Sequence, residues 1–207
     1  MSKRLIALSA AYGAGGRFIG IAVASRLEVP FVDRAITRSV AGRLDVTLDE
    51  ALAHEEPPSR TLLEWLLASF ASADAGTPVT LPADGATVED FHAALAEAVR
   101  EQAAAGEGVI LGRGGVAALR EDPRALRVRL SGPVPGRLAR AMAVTDVDEA
   151  TARRTLRRLD RTQAAYLQQF HGVDIDDPGL YHLTIDSTAM PLEACVDLIE
   201  RAATAVS

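Results

Sequence analysis

Apolar and polar residues alternate with several different periods along the 207-residue chain, and the changes of period mark out strands and helices. Leu5 to Leu8 form an unbroken apolar run, as expected of a strand covered on both faces. A glycine-rich turn follows at Gly13-Ala14-Gly15-Gly16. Ile19, Val23 and Leu27 then mark one face of a helix from about Gly16 to Leu27. Pro30-Phe31-Val32 reads as a short buried strand ending at Asp33. Ile36, Val40 and Leu44 return to helical spacing, and Thr47 with Glu50 fits a capping box. Pro57-Pro58-Ser59 breaks the chain before an apolar helical stretch from Leu62 to Phe70. Residues 74–86, rich in Ala, Gly, Pro, Thr and Asp, read as a mobile surface loop.

Val88, Phe91, Leu95, Ala98 and Val99 resume the helical period behind a cap at Thr87. Val109-Ile110-Leu111 is a further short strand, followed by Gly112-Arg113-Gly114-Gly115 and a short helix. Leu126 to Leu130 alternates as a strand with one polar face, although Arg127 and Arg129 sit poorly in a strand covered twice. Gly136 to Val144 is helical, and Asp148 to Phe170 is a long arginine-rich helix, with or without an interruption. Leu183 to Asp186 is the last strand, and Pro191 opens a closing helix with Leu192, Cys195, Leu198 and Ile199 on its apolar side. No internal repeat is visible.

Five short strands alternating with helices predict a parallel sheet with helices on both faces. Ligands of such sheets bind at the carboxyl ends of the strands. The polar and glycine signals fall at those ends: the 9–17 loop, Asp33, Gly112-Arg113 and Asp186-Ser187-Thr188. One shared site is therefore expected. The 9–17 stretch has the grammar of a phosphate-cradling loop, in which backbone N–H groups and a helix N-terminus face an anion. It departs from G-x-x-x-x-G-K-[ST], with Ala10 at the first glycine, Gly16 at the lysine and Arg17 at the hydroxyl residue.

Composition narrows the class. The length suits one domain, and 48% hydrophobic residues indicate an ample core. The single cysteine, Cys195, allows no disulfide within the chain and points to a reducing, cytoplasmic setting. No apolar stretch is long enough to span a membrane. A net charge of −6 argues against general nucleic-acid binding. The positive charge is almost all arginine: Lys3 is the sole lysine, and 12 arginines lie between Arg113 and Arg161. Arginine suits bidentate phosphate recognition, and a general compositional preference for it accounts for the same count. No lysine in the loop can bridge phosphates.

Each signal has a plainer alternative. The glycine loop also serves as a tight strand-to-helix turn, Arg17 as a surface residue, and Asp33 as a helix cap. Arg153, Arg154, Arg157, Arg158 and Arg161 also read as a solvated face, and Asp160 as the partner of Arg157 or Arg153. An arginine between glycines at a strand end, as at Arg113, has less structural reason to be there. His54, His92, His171 and His182 lack metal-ligand spacing, so no metal ligands are expected from the chain. Cys195 reads as core. The Trp65 stretch is expected to pack against the core or against a second subunit in a homodimer.

Taken in order, these pieces resemble the cytidylate kinase-like group of P-loop nucleoside monophosphate kinases over almost the whole chain. The resemblance rests on Tyr12-Gly13-Ala14-Gly15-Gly16-Arg17, Pro30-Phe31-Val32-Asp33-Arg34, Ile110-Leu111-Gly112-Arg113-Gly114 and Val128-Arg129-Leu130-Ser131-Gly132-Pro133 with Arg137. Asp160 with Tyr166, Asp177-Pro178 with Tyr181, and Leu183 to Thr188 complete it. It implies an α/β fold: a P-loop NTPase-like five-stranded parallel sheet with helices on both faces, an NMP-binding insertion and a mobile arginine-bearing lid. The single domain would then comprise a core of 1–33, 106–144 and 181–207, an insertion at 34–105 and a lid at 145–180. The implied activity is phosphoryl transfer from ATP, with Mg²⁺, to a nucleotide, CMP or dCMP. Gly13, Ala14, Gly15, Gly16, Arg17 and Phe18 would hold the ATP phosphates. Asp33, Arg113 and Asp160 would line the acceptor site, and Arg17, Arg137, Arg154, Arg158 and Arg161 would stand near the transferred group. The lid pattern Asp-x-x-Arg is altered here, reading Asp160-Arg161-Thr162-Gln163. A protein that keeps the scaffold and binds a nucleotide or phosphate without catalysis, and a kinase of another small acceptor, are the alternatives.

Overall fold

The computed structural model describes residues 4–32, 88–112, 114–145 and 147–205. The expected helices at 36–44 and 62–70, the capping box at Thr47, the loop 74–86, the Trp65 stretch, Asp33 and Arg113 lie outside those residues.

Strand β1 (Leu5–Ala10) is the centre of a wholly parallel sheet with β2 (Phe31–Val32), β3 (Gly108–Leu111), β4 (Ala125–Ser131) and β5 (Leu183–Asp186). Among the described residues the sheet has five strands in the order β2-β3-β1-β4-β5. Leu5 and Ala7 face one side of β1, Ile6 and Leu8 the other, and all four are inaccessible to solvent. Four consecutive apolar residues are what a central strand covered twice requires.

Helices α1 (Gly16–Leu27) and α6 (Leu192–Ala205) cover the Ile6 face, where Ile19, Val23, Cys195, Val196 and Ile199 meet Val109, Leu126 and Val128. At their outer edge Arg26 pairs with Asp197 and Glu200. The opposite face is covered by α2 (Val88–Ala104), α3 (Gly115–Ala118) and α5 (Glu149–His171). Ala98, Val99, Val116, Ala117, Tyr166 and Leu167 pack there against Leu5, Ala7 and Ile110. Each fully buried large apolar side chain contributes about 1.5–3 kcal/mol, so both helical layers are held firmly to the sheet. Helix α4 (Val134–Thr145) joins α5 through Leu138, Ala152 and Leu156.

Helix α4 begins two residues before the expected Gly136. Helix α5 runs 23 residues without interruption, from an Asp148 cap that accepts the Thr151 N–H to a left-handed Gly172. Leu198, expected on the apolar side of the closing helix, is exposed, while Cys195 and Ile199 carry the contact. The two arginines of β4 find acceptors on the α5 face of the sheet. Arg127 donates to the carbonyls of Leu180 and Arg120, at 2.8 and 3.0 Å.

The topology opens a crevice at the carboxyl ends. After β1 the chain passes to α1 on one face, and after the neighbouring β3 it passes to α3 on the other. Ligand sites in open parallel sheets form where successive connections diverge in this way. No helix among the described residues is long and apolar enough to cross a membrane.

Candidate phosphate site

The loop between β1 and α1 is built on glycine conformations. Gly13 and Gly15 are left-handed, with φ of 79° and 75°, and the Ala14 N–H closes a turn onto the Ala11 carbonyl at 3.0 Å. Gly13 also lies against the backbone carbonyl of Arg137, so any side chain at that position would collide with it. The loop starts from a fixed base, since the Ala11 N–H bonds the Leu130 carbonyl of β4 at 2.9 Å. It ends at Gly15, the N-cap of α1, which offers no side-chain cap and is followed by no acidic residue in the first turn. A helix beginning this way presents unsatisfied N–H groups and the positive end of its dipole. Such an end accommodates an anion.

The absent lysine has a steric counterpart. A Cβ placed on Gly16 would run into the Cβ of Ala10 and lie 3.3 Å from Leu111 Cδ1. Ala10 therefore occupies the space that any side chain at 16 needs to leave the backbone. Two of the three departures from the usual loop pattern, Ala10 and Gly16, are one packing arrangement. Arg17 and Phe18 are exposed on the first turn of α1.

Two further connections close around the loop. After β5, Ser187 is fully buried and donates its hydroxyl to the Ala14 carbonyl at 2.7 Å. Arg140 donates to the Ser187 carbonyl at 2.7 Å. Asp186, one residue earlier, accepts the N–H and hydroxyl of Thr188 at 2.9 and 2.6 Å, and the hydroxyl bond holds its carboxyl below the usual range.

Arg137 is buried and makes four hydrogen bonds. Its Nε donates to the Gly132 carbonyl at 3.0 Å and Nη1 to the Tyr12 carbonyl at 3.2 Å. Nη1 and Nη2 meet the two oxygens of Asp160 at 3.0 and 2.8 Å. This fork fastens α5 to α4 and to the phosphate loop. Asp160 is thus joined to Arg137, whereas Arg153 pairs with Glu149 at 2.6 Å, one turn away on α5.

Among the other expected site residues, Arg154, Arg158 and Arg161 are exposed on α5. Arg154 donates to the Thr151 hydroxyl at 2.9 Å. One group was not singled out from sequence as part of a site. Arg129 of β4 is only 9% exposed and donates from Nη1 to Ser9 Oγ at 2.8 Å and to Gln163 Oε1 at 3.3 Å. Burial lowers its pKa, opposed by the neighbouring Tyr181, Asp176 and Asp160, though an arginine so placed stays charged. The signal for it was an arginine inside a strand that is otherwise apolar. Ser187 was visible only as part of a polar strand end.

Among the described residues no three His, Cys, Asp or Glu side chains gather as a metal site. A central strand feeding a glycine loop and an uncapped helix, within a five-stranded parallel sheet, defines the fold of the P-loop kinases. The chain belongs to the cytidylate kinase-like family, whose sequence model matches residues 5–189. Comparison with curated protein sequences gives no match. Among solved structures, the chain is similar to an uncharacterized protein from Eubacterium ventriosum ATCC 27560, at 18% identity and a TM-score of 0.69. That match covers 97% of this chain and 98% of the other. It is also similar to a gluconokinase from Sinorhizobium meliloti 1021, at 19% identity and a TM-score of 0.50, covering 98% and 90%. Both likenesses concern the fold.

Proposed function

We propose that the protein transfers the γ-phosphoryl group of ATP to a nucleoside monophosphate, CMP or dCMP. The observation that carries this reading is the Gly13–Gly16 cradle, opening onto an uncapped α1 at the carboxyl edge of the sheet, in a member of the cytidylate kinase-like family. Phosphoryl transfer needs mainly positioning and neutralisation of charge, which fixed backbone N–H groups and arginines supply.

The loop fits the polyphosphate of ATP through its backbone, with Gly13, Ala14, Gly15 and Gly16 as its wall and Arg17 and Phe18 at its rim. ATP supplies the phosphoryl group, and Mg²⁺ travels with it. Position 17 is an arginine, so the loop would offer a divalent ion no hydroxyl there, and an ion arriving with ATP would neutralise phosphate charge. Arg137 acts through its fork: it fixes Asp160 and the loop carbonyl of Tyr12 relative to each other. The exposed Arg154, Arg158 and Arg161 are candidates for contact with the transferred group. Asp33 and Arg113 are candidates for the acceptor side.

The test is formation of ADP by the pure protein with ATP, Mg²⁺ and each nucleoside monophosphate in turn. Turnover with CMP or dCMP is expected. A folded protein that turns over none of them overturns the reading.

Gln163, which replaces a charge with an amide in the lid pattern, favours a second reading: a scaffold that binds nucleotide or phosphate without catalysis. It predicts thermal stabilisation by ATP without ADP formation, because a ligand that binds only the native state raises apparent stability. Turnover with a different small acceptor alone would instead mark a kinase of another substrate.

A further inference from the structure

Arg129 carries a full charge into the interior, and among the described residues no carboxylate forms an ion pair with it: Asp176 and Asp160 act on it only through space. Among the described residues its hydrogen-bond acceptors are Ser9 Oγ and Gln163 Oε1, both neutral. The nearest candidate on α5, Asp160, already gives both oxygens to Arg137. Buried charges are ordinarily paired, and a cation whose described hydrogen-bond partners are both neutral is suited to an anion that comes from elsewhere. Its position suits that use. Arg129 lies opposite Ser9 in the β1–β4 register, at the carboxyl end of the sheet, one residue before the Leu130 carbonyl that anchors the phosphate loop.

Gln163 lies one turn along α5 from Asp160, and its amide oxygen meets the Arg129 guanidinium at 3.3 Å. A cation on the side chain of residue 163 and a cation reaching up from β4 therefore converge on one place. We propose that Arg129 supplies from the sheet the positive charge that the lid helix lacks at position 163, and that it contacts a phosphate group of the bound substrates. A neutral residue at 163 is then a requirement, since a second guanidinium there would repel the first and a carboxylate would neutralise it. This rests on the phosphoryl-transfer reading for its role in turnover, while the anion site itself does not.

Two variants test it, with inorganic phosphate as probe at constant ionic strength and ADP formation as second readout. Gln163→Glu places a carboxylate beside Arg129 without removing any packing. It is expected to lose the phosphate-dependent thermal stabilisation of the parent and to lower kcat with ATP and CMP about a hundredfold, the scale of removing one charge-stabilising group. The exchange Arg129→Met with Gln163→Arg moves the cation from strand to helix, and it is expected to keep the phosphate response and turnover within about tenfold of the parent. A Gln163→Glu protein with the parent's phosphate response, an exchange variant that loses it, or a parent with no response overturns the proposal. Parental turnover unchanged in Gln163→Glu likewise sinks the inference and leaves the phosphoryl-transfer reading standing. A parent without turnover, whose phosphate response still disappears in Gln163→Glu, does the reverse.

Discussion

Arg137 and Asp160 face each other through two parallel hydrogen bonds, 3.0 and 2.8 Å long, and the arginine of the pair is almost wholly buried. The pair joins a helix that follows β4 to the long helix that spans one face of the sheet. The same guanidinium holds the Tyr12 carbonyl, so a change at Asp160 is felt in the phosphate loop. Asp160→Asn is expected to destabilise the fold by about 2–3 kcal/mol, because it leaves a buried charge with weaker acceptors while the carboxylate lost was partly solvated. Chemical unfolding of Asp160→Asn, Arg137→Met and the double variant measures the coupling. A cycle that closes without an interaction energy would show that the fork is incidental.

Ala10 and Gly16 make a second pair whose meaning is steric. Gly16→Ala is expected to destabilise by about 1–3 kcal/mol, the usual cost of forcing a methyl into filled space. Gly16→Lys should do the same and should not create a working phosphate-binding lysine. Adding Ala10→Gly removes the obstructing methyl and should recover most of the loss in either background. Thermal melts of the three single variants, Ala10→Gly included, and the two double variants decide it. Additive effects would mean that the two positions do not share the space.

Sequence pattern made the framework readable because the inner strands β1 and β3 carry unbroken apolar runs. Leu5 to Leu8 and Val109 to Leu111 are short for helices and bounded by glycine turns, which favours strands covered twice, and the glycines after them mark the carboxyl edge. Side-chain partners were much less readable. Asp160 and Arg137 are 23 positions apart and on different helices, so the nearer Arg153 and Arg157 looked equally suitable until the helices were placed. Arg129 looked like an error in a strand, since nothing local says that Ser9 and Gln163 will meet it. Helix α5, which the resemblance makes part of a lid at 145–180, is amphipathic: one side carries the exposed arginines and the other puts Tyr166 and Leu167 into the core. Long-range pairing of polar groups depends on register and helix packing, and a single chain's pattern encodes neither.

Acid should weaken the termini of two elements before it weakens the core. Hydrogen bonds from Thr151 hold Asp148 below the ordinary carboxyl value, and those from Thr188 do the same for Asp186. A carboxyl with a lowered folded value contributes stability above its unfolded value, and that contribution disappears as pH falls through the folded one. Stability is therefore expected to be level through neutral pH and to decline below the usual carboxylate range. Asp148→Asn and Asp186→Asn should each flatten that decline. An unchanged slope in both would assign the acid sensitivity to other carboxylates.

Cys195 offers a probe of the packing between α6 and the sheet. Its thiol is fully buried, and burial raises its pKa, which lowers the thiolate fraction that reacts with alkylating reagents. Native protein at mildly alkaline pH should react with iodoacetamide at a small fraction of the rate of urea-unfolded protein. Equal rates would place α6 away from the face formed by Ile6, Leu8 and Val128.

Ser187 gives the sharpest test of whether the strand ends act as one site. Its hydroxyl lies between the Ala14 carbonyl of the phosphate loop and the Ser131 carbonyl at the end of β4, at 2.7 and 3.2 Å. Replacing it by alanine leaves a buried carbonyl without its donor, which costs about 1–3 kcal/mol. If the loop's shape depends on that bond, Ser187→Ala should also weaken ATP binding, because the N–H groups of residues 13–16 are held at fixed angles only while Ala14 is tethered. Thr204→Ala provides the comparison, since its hydroxyl bonds only carbonyls within α6. Calorimetric titration with ATP is expected to show a several-fold weaker affinity for Ser187→Ala and no change for Thr204→Ala. Loss of stability without loss of affinity would mean that the β5 connection supports the fold and leaves the phosphate loop to hold itself.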